Sequence, residues 1–420
     1  MSIQLTEGVN LHIIPTEKYK TVRIVMKFRA PLDKETITKR ALLSSLIETN
    51  SMKYPTQTAL RSELSNLFGA SFGTSVTKKG TVHILTLSLN VVNEKYLTMS
   101  DSILTKSIDF LKEVIFHPNA SNGYFDKATF TREKENLVDY YDSIADDKQT
   151  YANLELQKLF FDEDNQKIPS IGTKEDLAEI TEISLYDYYK KMLQEDQIDI
   201  YVLGDINENQ IMNQLKEFPF ESRKTIQPEL FYKQLDFEKV NSKIESQEIK
   251  QAKFNLGYTT DIFYLQDSYY AGQLFNGLFG GFPHSKLFVN VREKESLAYY
   301  ASSSLDTFRG MMIVQTGIDS KKLDQVKEIV TLQLKEMQGG KFTEEDMHQT
   351  KQMLKNQLLQ SEDNSGAVIE RTYSNQLAKN EVMSIEEWMK QIEAVTKEEI
   401  IEVANRIKLK ATFFLSEEVK

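Results

Sequence analysis

The chain contains no cysteine. Disulfides, thiolate nucleophiles and cysteine-rich metal sites are therefore excluded. Histidine is scarce: His12, His83, His117, His284 and His348 are the complete set. No two of them are four residues apart, so no helix can set two imidazoles one turn apart on one face to grip a zinc ion. Only eight of the 420 residues are proline, and no low-complexity tract is present, which argues against disorder. Apolar runs are short. None approaches the roughly 18 residues of a membrane-spanning helix, and the opening MSIQLTEGVNLHIIPT lacks a basic segment followed by an apolar one. A soluble, cytoplasmic protein is expected. Positive charge is in deficit, 51 Lys and Arg against 62 Asp and Glu, a net −11. That balance disfavours nucleic acid or an anionic membrane as a partner.

What is present is enough apolar sequence, 40%, for cores larger than one domain holds. The chain also repeats itself. TVHILTLSLNVV runs into NEKYLTMSDSILTKSIDFLKEVI, and GMMIVQTGI runs into DSKKLDQVKEIVTLQLKEM. Lys95 and Leu97 answer to Lys321 and Leu323. FDKATFTREKENL from Phe125 answers to FTEEDMHQTKQML from Phe342. ITEISLYDYYKKML from Ile180 answers to VTKEEIIEVANRI from Val395, and LSNLFGASF (64–72) to VREKESLAY (291–299). Four weak matches in one order point to duplication.

The repeated unit mixes period-two and period-3.6 patterns. In VHILTLSL, Leu85, Leu87 and Leu89 share one face, with Val82, Ile84 and Thr86 on the other. In the helix predicted over 102–115, Ile103, Leu104, Ile108, Leu111 and Ile115 recur at helical spacing. The reading is α+β: two homologous domains, each a mainly antiparallel sheet packed with helices. They are placed at 1–220 and 245–420. The polar stretch 221–244 is read as a draped linker, because it is not Gly/Ser-rich. Asn207 is positioned to cap a helix NENQIMNQLKEF.

The most recognisable stretch is LFNGLFGGFPHSKLFVNVREKESLAYYASSS, with Ser285, Leu287, Phe288, Arg292, Glu293, Leu297, Ala298 and Tyr299. It resembles the insulinase-like, or mitochondrial-processing-peptidase-like, zinc peptidases. The family's pattern reads Ser-x-Leu-Phe after a short Gly-containing loop, then Arg-Glu-x-x-Gly-Leu-Ala-Tyr, and Ser296 stands where a glycine is usual. GTKEDLAEITEISLYDYYKKML and VLGDI in the first half extend the resemblance over essentially the whole chain.

The resemblance implies that two such domains form half of a clam-like peptidase chamber. In the zinc-bearing half, His-x-x-Glu-His lies on an early helix and a later glutamate is the third ligand. Here that helix, TKRALLSSLIETNSMKYPT, offers Ser44, Ser45 and Glu48. The later position falls near Tyr140, with Glu133 and Glu135 as neighbouring carboxylates. No metal or other cofactor is expected in this chain; zinc is expected in a homologous partner subunit.

In two-chain members the subunit without zinc keeps an Arg/Tyr pair. Arg292 and Tyr299 match it and are assigned substrate or transition-state contacts across the chamber. A guanidinium and a phenol are suitable donors to the oxygen of a peptide carbonyl under attack. Gly280 and Gly281 are second candidates for substrate contact, since glycine lets a ligand approach backbone closely; helix termination is the competing role. Against both stand ordinary alternatives, a surface ion pair of Arg292 with Glu293 or Glu295 and a strand-packing tyrosine. The expected partners are thus a zinc-binding homologous subunit and unfolded or short peptides. The alternative is a non-proteolytic scaffold or peptide-binding homodimer. A third possibility, an acidic metal site at DEDN (162–165), rests on composition alone.

Overall fold

The computed structural model describes residues 2–97, 102–225, 229–295, 297–379 and 382–418. The chain divides into two units, Met1–Asp142 with Ile168–Pro228, and Ser143–Lys167 with Glu229–Lys420.

The first unit carries strands β1 (Ser2–Thr6), β2 (Val9–Pro15), β3 (Thr21–Pro31), β4 (Ser71–Lys79) and β5 (Val82–Val92), the two-residue pair β6 (Ala120–Ser121) and β7 (Tyr124–Phe125), and β8 (Gln197–Gly204). Its main sheet runs β1-β2-β8-β3-β5-β4. The second unit carries β9 (Asn241–Gln247), β10 (Ala252–Thr259), β11 (Ala298–Asp306), β12 (Met311–Ile318) and β13 (Lys408–Glu417), in the order β11-β12-β10-β13-β9. Read from β2 and from β9, the two orders are the same. In each shared order the first pair is parallel, β2 with β8 and β9 with β13, and the remaining pairs are antiparallel, with β1 added antiparallel outside β2. The internal similarity of the sequence is thus one topology built twice, an α+β fold.

Period-two alternation decides which side of each strand is apolar. Val22, Ile24, Met26 and Phe28 of β3, with Leu85, Leu87 and Leu89 of β5, face a layer of helices in the first unit. That layer includes Lys34–Thr49 and Ile103–Phe116, the latter capped by Ser102 and burying Ile103, Ile108, Leu111 and Ile115. In the second unit Phe254, Leu256 and Val314 meet Val326, Val330 and Leu334 of the helix Leu323–Gln338. Asn207 caps Glu208–Lys216 through Gln210 N.

The division into units departs from two contiguous halves. The helix Lys148–Phe160 lies in the first half of the sequence but packs in the second unit. Its Ala152, Leu156 and Phe160, four residues apart on one face, are buried against Met311, Ala411, Phe413 and Leu415 on the second face of that sheet. Side chains the size of Leu156, Phe160, Met311, Phe413 and Leu415 contribute about 1.5–3 kcal/mol each when fully buried. A stripe of that kind has to find an apolar surface, and periodicity does not say which one.

The stretch 221–244 also departs from a simple linker. Arg223 is buried in the first unit and donates to the carbonyls of Asp196 and Glu221. Phe231 stacks on Phe308 in the second unit. Residues 241–244 already belong to β9. This strand, NSKIESQ, has no apolar alternation, and its lone Ile244 is exposed. Ion pairs of Lys243 with Glu155 (2.7 Å) and a hydrogen bond from Tyr151 to Glu245 (2.7 Å) hold it to the helix Lys148–Phe160.

The largest fully buried side chain belongs to Arg40. Its guanidinium reaches Asp196 at 2.6 Å, the Tyr188 hydroxyl at 3.0 Å and the Phe28 carbonyl at 2.6 Å, joining helix Lys34–Thr49 to β3 and to the start of β8. Burial pushes the Asp196 carboxyl up and Arg40 pulls it back. Truncating one partner leaves the other charge buried alone. Arg40→Met is therefore expected to cost about 3–5 kcal/mol, read as a lowered urea midpoint. Arg40→Met with Asp196→Leu should recover most of it.

Candidate functional site

The helix Lys34–Thr49 is where a metal would be sought. Buried Leu42, Leu43, Leu46 and Ile47 anchor it to the core, which aims Ser44 and Glu48 at β4. There the side chains bond one another. Ser44 Oγ donates to Thr74 Oγ1 (2.8 Å), and Glu48 Oε2 accepts from Thr74 N (2.8 Å) and Thr74 Oγ1 (3.0 Å). Arg61 reaches Glu48 Oε1 at 3.4 Å. One carboxylate with two hydroxyls and a guanidinium is not a zinc donor set, since imidazole or thiolate ligands are missing and a cation is already in place.

The later positions add no ligand set. Glu133 is buried and accepts from Arg132 (2.9 Å) and Asn136 (3.2 Å), and Tyr140 is exposed. Among the described residues no group of three or more His, Asp or Glu could hold a metal. At 162–165, Asp162 pairs with the buried Lys410 (2.6 Å) and Asp164 with Lys167 (3.2 Å). His83, His12 and His284 are individually engaged. Burial, reinforced by the charge of Arg40, lowers His83 to about 3, and its Nε2 meets the Ser170 carbonyl at 2.8 Å. His12 meets Asp199 at 2.9 Å and stacks on Tyr201, and His284 meets Thr350 Oγ1 at 2.8 Å.

The second unit presents different chemistry. Gly277–Gly281 forms a π-helical turn that continues the helix Tyr269–Asn276, so the glycines close a helix, the role that competed with substrate contact. Packing is the reason. A Cβ on Gly280 would lie 2.6 Å from Ser303 Oγ and 2.7 Å from Ser303 N of β11, and one on Gly277 would lie 2.6 Å from Thr350. Gly280 is buried against the strand, while Gly281 is exposed. A second π-helical segment, Phe288–Lys294, carries Arg292. π-helical turns are rare and recur at functional sites.

Arg292 is exposed, with its guanidinium over the Phe288 ring at 4.5 Å. It makes no ion pair with Glu293, Glu295 or any other of the described residues. Leu297 N donates to Val291 O (3.0 Å), which ties the segment carrying Arg292 to the start of β11. Ser296 lies outside the described residues.

At the start of β11 the register against β12 slips: Ala298 faces Ile318 and Tyr300 faces Gly317, leaving Tyr299 as the extra residue of a β-bulge. Bulges re-aim side chains. Tyr299 is 70% exposed, whereas its neighbour is held. Tyr300 donates to Gln149 Oε1, lies under Lys253 Nζ at 5.2 Å, and occupies the space left by Gly317, whose Cβ would be 2.3 Å from the ring. Burial, with the charge of Asp147 adding to it, pushes the Tyr300 hydroxyl up to about 12. Two adjacent tyrosines thus divide the work, one packing the sheet and one offered to solvent. The role of Tyr300 could not be read from sequence, since its partner Gln149 lies 151 positions away.

Two units of one topology, with the metal helix of the first lacking imidazoles, define a degenerate member of a two-domain peptidase fold. A family profile described as the peptidase M16 inactive domain matches residues 179–354. The probable inactive metalloprotease YmfF of Bacillus subtilis (strain 168) is 39% identical over 410 residues, 97% of this chain and 96% of that one. The same organism's uncharacterized zinc protease YmxG is 24% identical over 316 residues, 74% and 75% of the two chains. The crystal structure of a conserved protein from Enterococcus faecalis V583 superposes with a TM-score of 0.95 at 53% identity, covering 100% of this chain and 99% of that one. The chain belongs to the M16 peptidase family, as an inactive metalloprotease-like member. Among the described residues no helix is long and apolar enough to cross a membrane.

Zinc chloride titrated into the purified chain is expected to give no binding at one-site stoichiometry and no rise in melting temperature. A methyl group at Gly280 should overpack the helix against β11, costing about 1–3 kcal/mol. Thermal melting of Gly280→Ala measures this.

Proposed function

We propose that this chain is the non-catalytic, substrate-binding subunit of a heterodimeric zinc peptidase. Its partner is a homologous subunit that carries the metal. This chain binds unfolded or short peptides and presents Arg292 and Tyr299 to the bond the partner cleaves. The reading rests on one observation above others: an exposed guanidinium without a carboxylate partner and a bulge-displayed phenol flank an edge strand, in a chain whose own metal helix lacks metal ligands. The coexistence of YmfF and YmxG in one bacterium supports a division of labour between inactive and zinc-bearing relatives.

An edge strand offers main-chain groups to an extended peptide with little regard for its sequence. Arg292 and Tyr299 then serve as hydrogen-bond donors to a carbonyl oxygen gaining negative charge. Such donors act most strongly where water is excluded.

The test is reconstitution with the zinc-bearing homologue. Arg292→Ala is expected to lower kcat by about 10²–10³-fold, the range for loss of one oxyanion donor, while the two chains still elute together. Tyr299→Phe should lower kcat with little change in melting temperature. Unchanged turnover in both variants removes the catalytic contribution. Recovery of the chain from its own cell extract solely as a self-associated, zinc-free protein removes the heterodimer and leaves a scaffold or peptide-binding homodimer.

A further inference from the structure

Each sheet has an edge strand next to its candidate site, and the two edges differ. β4 is nine residues long and pairs with β5 without a break from Ser71↔Asn90 to Lys79↔Val82. It contains no proline and no bulge, and its only charges, Lys78 and Lys79, sit at the far end. Natural edges are normally guarded by such devices against strand addition. Here the guard lies elsewhere.

Thr74 N donates to Glu48 Oε2 rather than to β5. By antiparallel alternation, Phe72 and Val76 turn their main-chain groups the same way. The Glu48 carboxylate therefore occupies one of the four outward positions Phe72, Thr74, Val76 and Lys78, the second along the strand. It sits where the carbonyl of an added strand would have to bond, and the Thr74 hydroxyl and Arg61 hold it there.

We propose that Glu48 is a built-in plug that closes the edge of the first sheet to main-chain pairing. The proposal rests on the peptide-binding reading above and adds to it which edge is closed to the peptide. An ionised carboxylate is a stronger acceptor than a peptide carbonyl, so a peptide must displace it to pair with Thr74.

The experiment measures binding of a fluorescein-labelled, unstructured casein peptide to the full chain by anisotropy, with hydrogen exchange followed at the Thr74 amide. Glu48→Ala is expected to tighten binding by up to about tenfold, the worth of one recovered hydrogen bond, and to speed exchange at Thr74 in the absence of peptide. Glu48→Gln, whose carboxamide oxygen accepts the same two bonds, should keep wild-type affinity. Adding Thr74→Pro to Glu48→Ala should abolish the gain, because it deletes the outward N–H at an edge position where proline is tolerated. Faster Thr74 exchange in Glu48→Ala with unchanged affinity overturns the plug. If that variant does not fold, Glu48→Asp, one methylene too short to reach, must show the same gain or the proposal fails. Arg292→Ala in the same assay separates the two ideas: loss of binding there tests the peptide-binding reading, and gain in Glu48→Ala tests the plug. Binding by Glu48→Ala but not by the wild type would uphold the plug and remove peptide binding from the native chain.

Discussion

The candidate site of the second unit depends on the helix Lys148–Phe160 covering the outer face of its sheet. A sheet with apolar residues on both faces has to be covered on both, and Met311, Ala411, Phe413 and Leu415 would otherwise face water. The same helix supplies Gln149, which accepts from Tyr300 and fixes the start of β11. With Tyr300 held there, the extra residue of the bulge turns Tyr299 outward. From the other side Gly280 lets the π-helical turn sit directly on Ser303. A packing requirement on one face of the sheet thus ends as an exposed phenol at its edge.

The first unit meets a different requirement. Its helix Lys34–Thr49 turns hydroxyls and a single carboxylate, Glu48, toward β4. Polar side chains in a half-buried cleft need partners, and here they find them in each other and in the main chain of β4. The result is a settled hydrogen-bond cluster where a zinc-bearing homologue needs ligands poised for an ion.

Much of the fold was legible beforehand because it rests on local patterns. The stripe Ile103, Ile108, Leu111 and Ile115 and the alternation Leu85, Leu87 and Leu89 are set by helix and strand geometry alone, and both faces lie in the core. The duplication was legible for the same reason, since two copies of one topology demand similar patterns at similar spacing. β9 was not legible. It is polar along its length and held by ion pairs with Glu155 and by hydrogen bonding to Tyr151, contacts that leave no periodicity in NSKIESQ. The glycines close a helix, the role that competed with substrate contact, and what the sequence did not carry is that they do so against Ser303 and Thr350.

The sequence by itself determined the chemistry that is possible: no thiolate, no paired imidazoles, and an arginine and a tyrosine seven positions apart in a recognisable motif. Residue type and spacing suffice for that, because a missing ligand cannot be restored by folding. Tertiary structure alone decided which of two adjacent tyrosines is offered to solvent, that Arg292 lacks a carboxylate partner, and that Glu48 closes the β4 edge. Each of these follows from a contact or a register that joins distant parts of the chain, Tyr300 with Gln149, β11 with β12, and Glu48 with Thr74. Such pairings are selected by packing over the whole unit, and no local pattern records them.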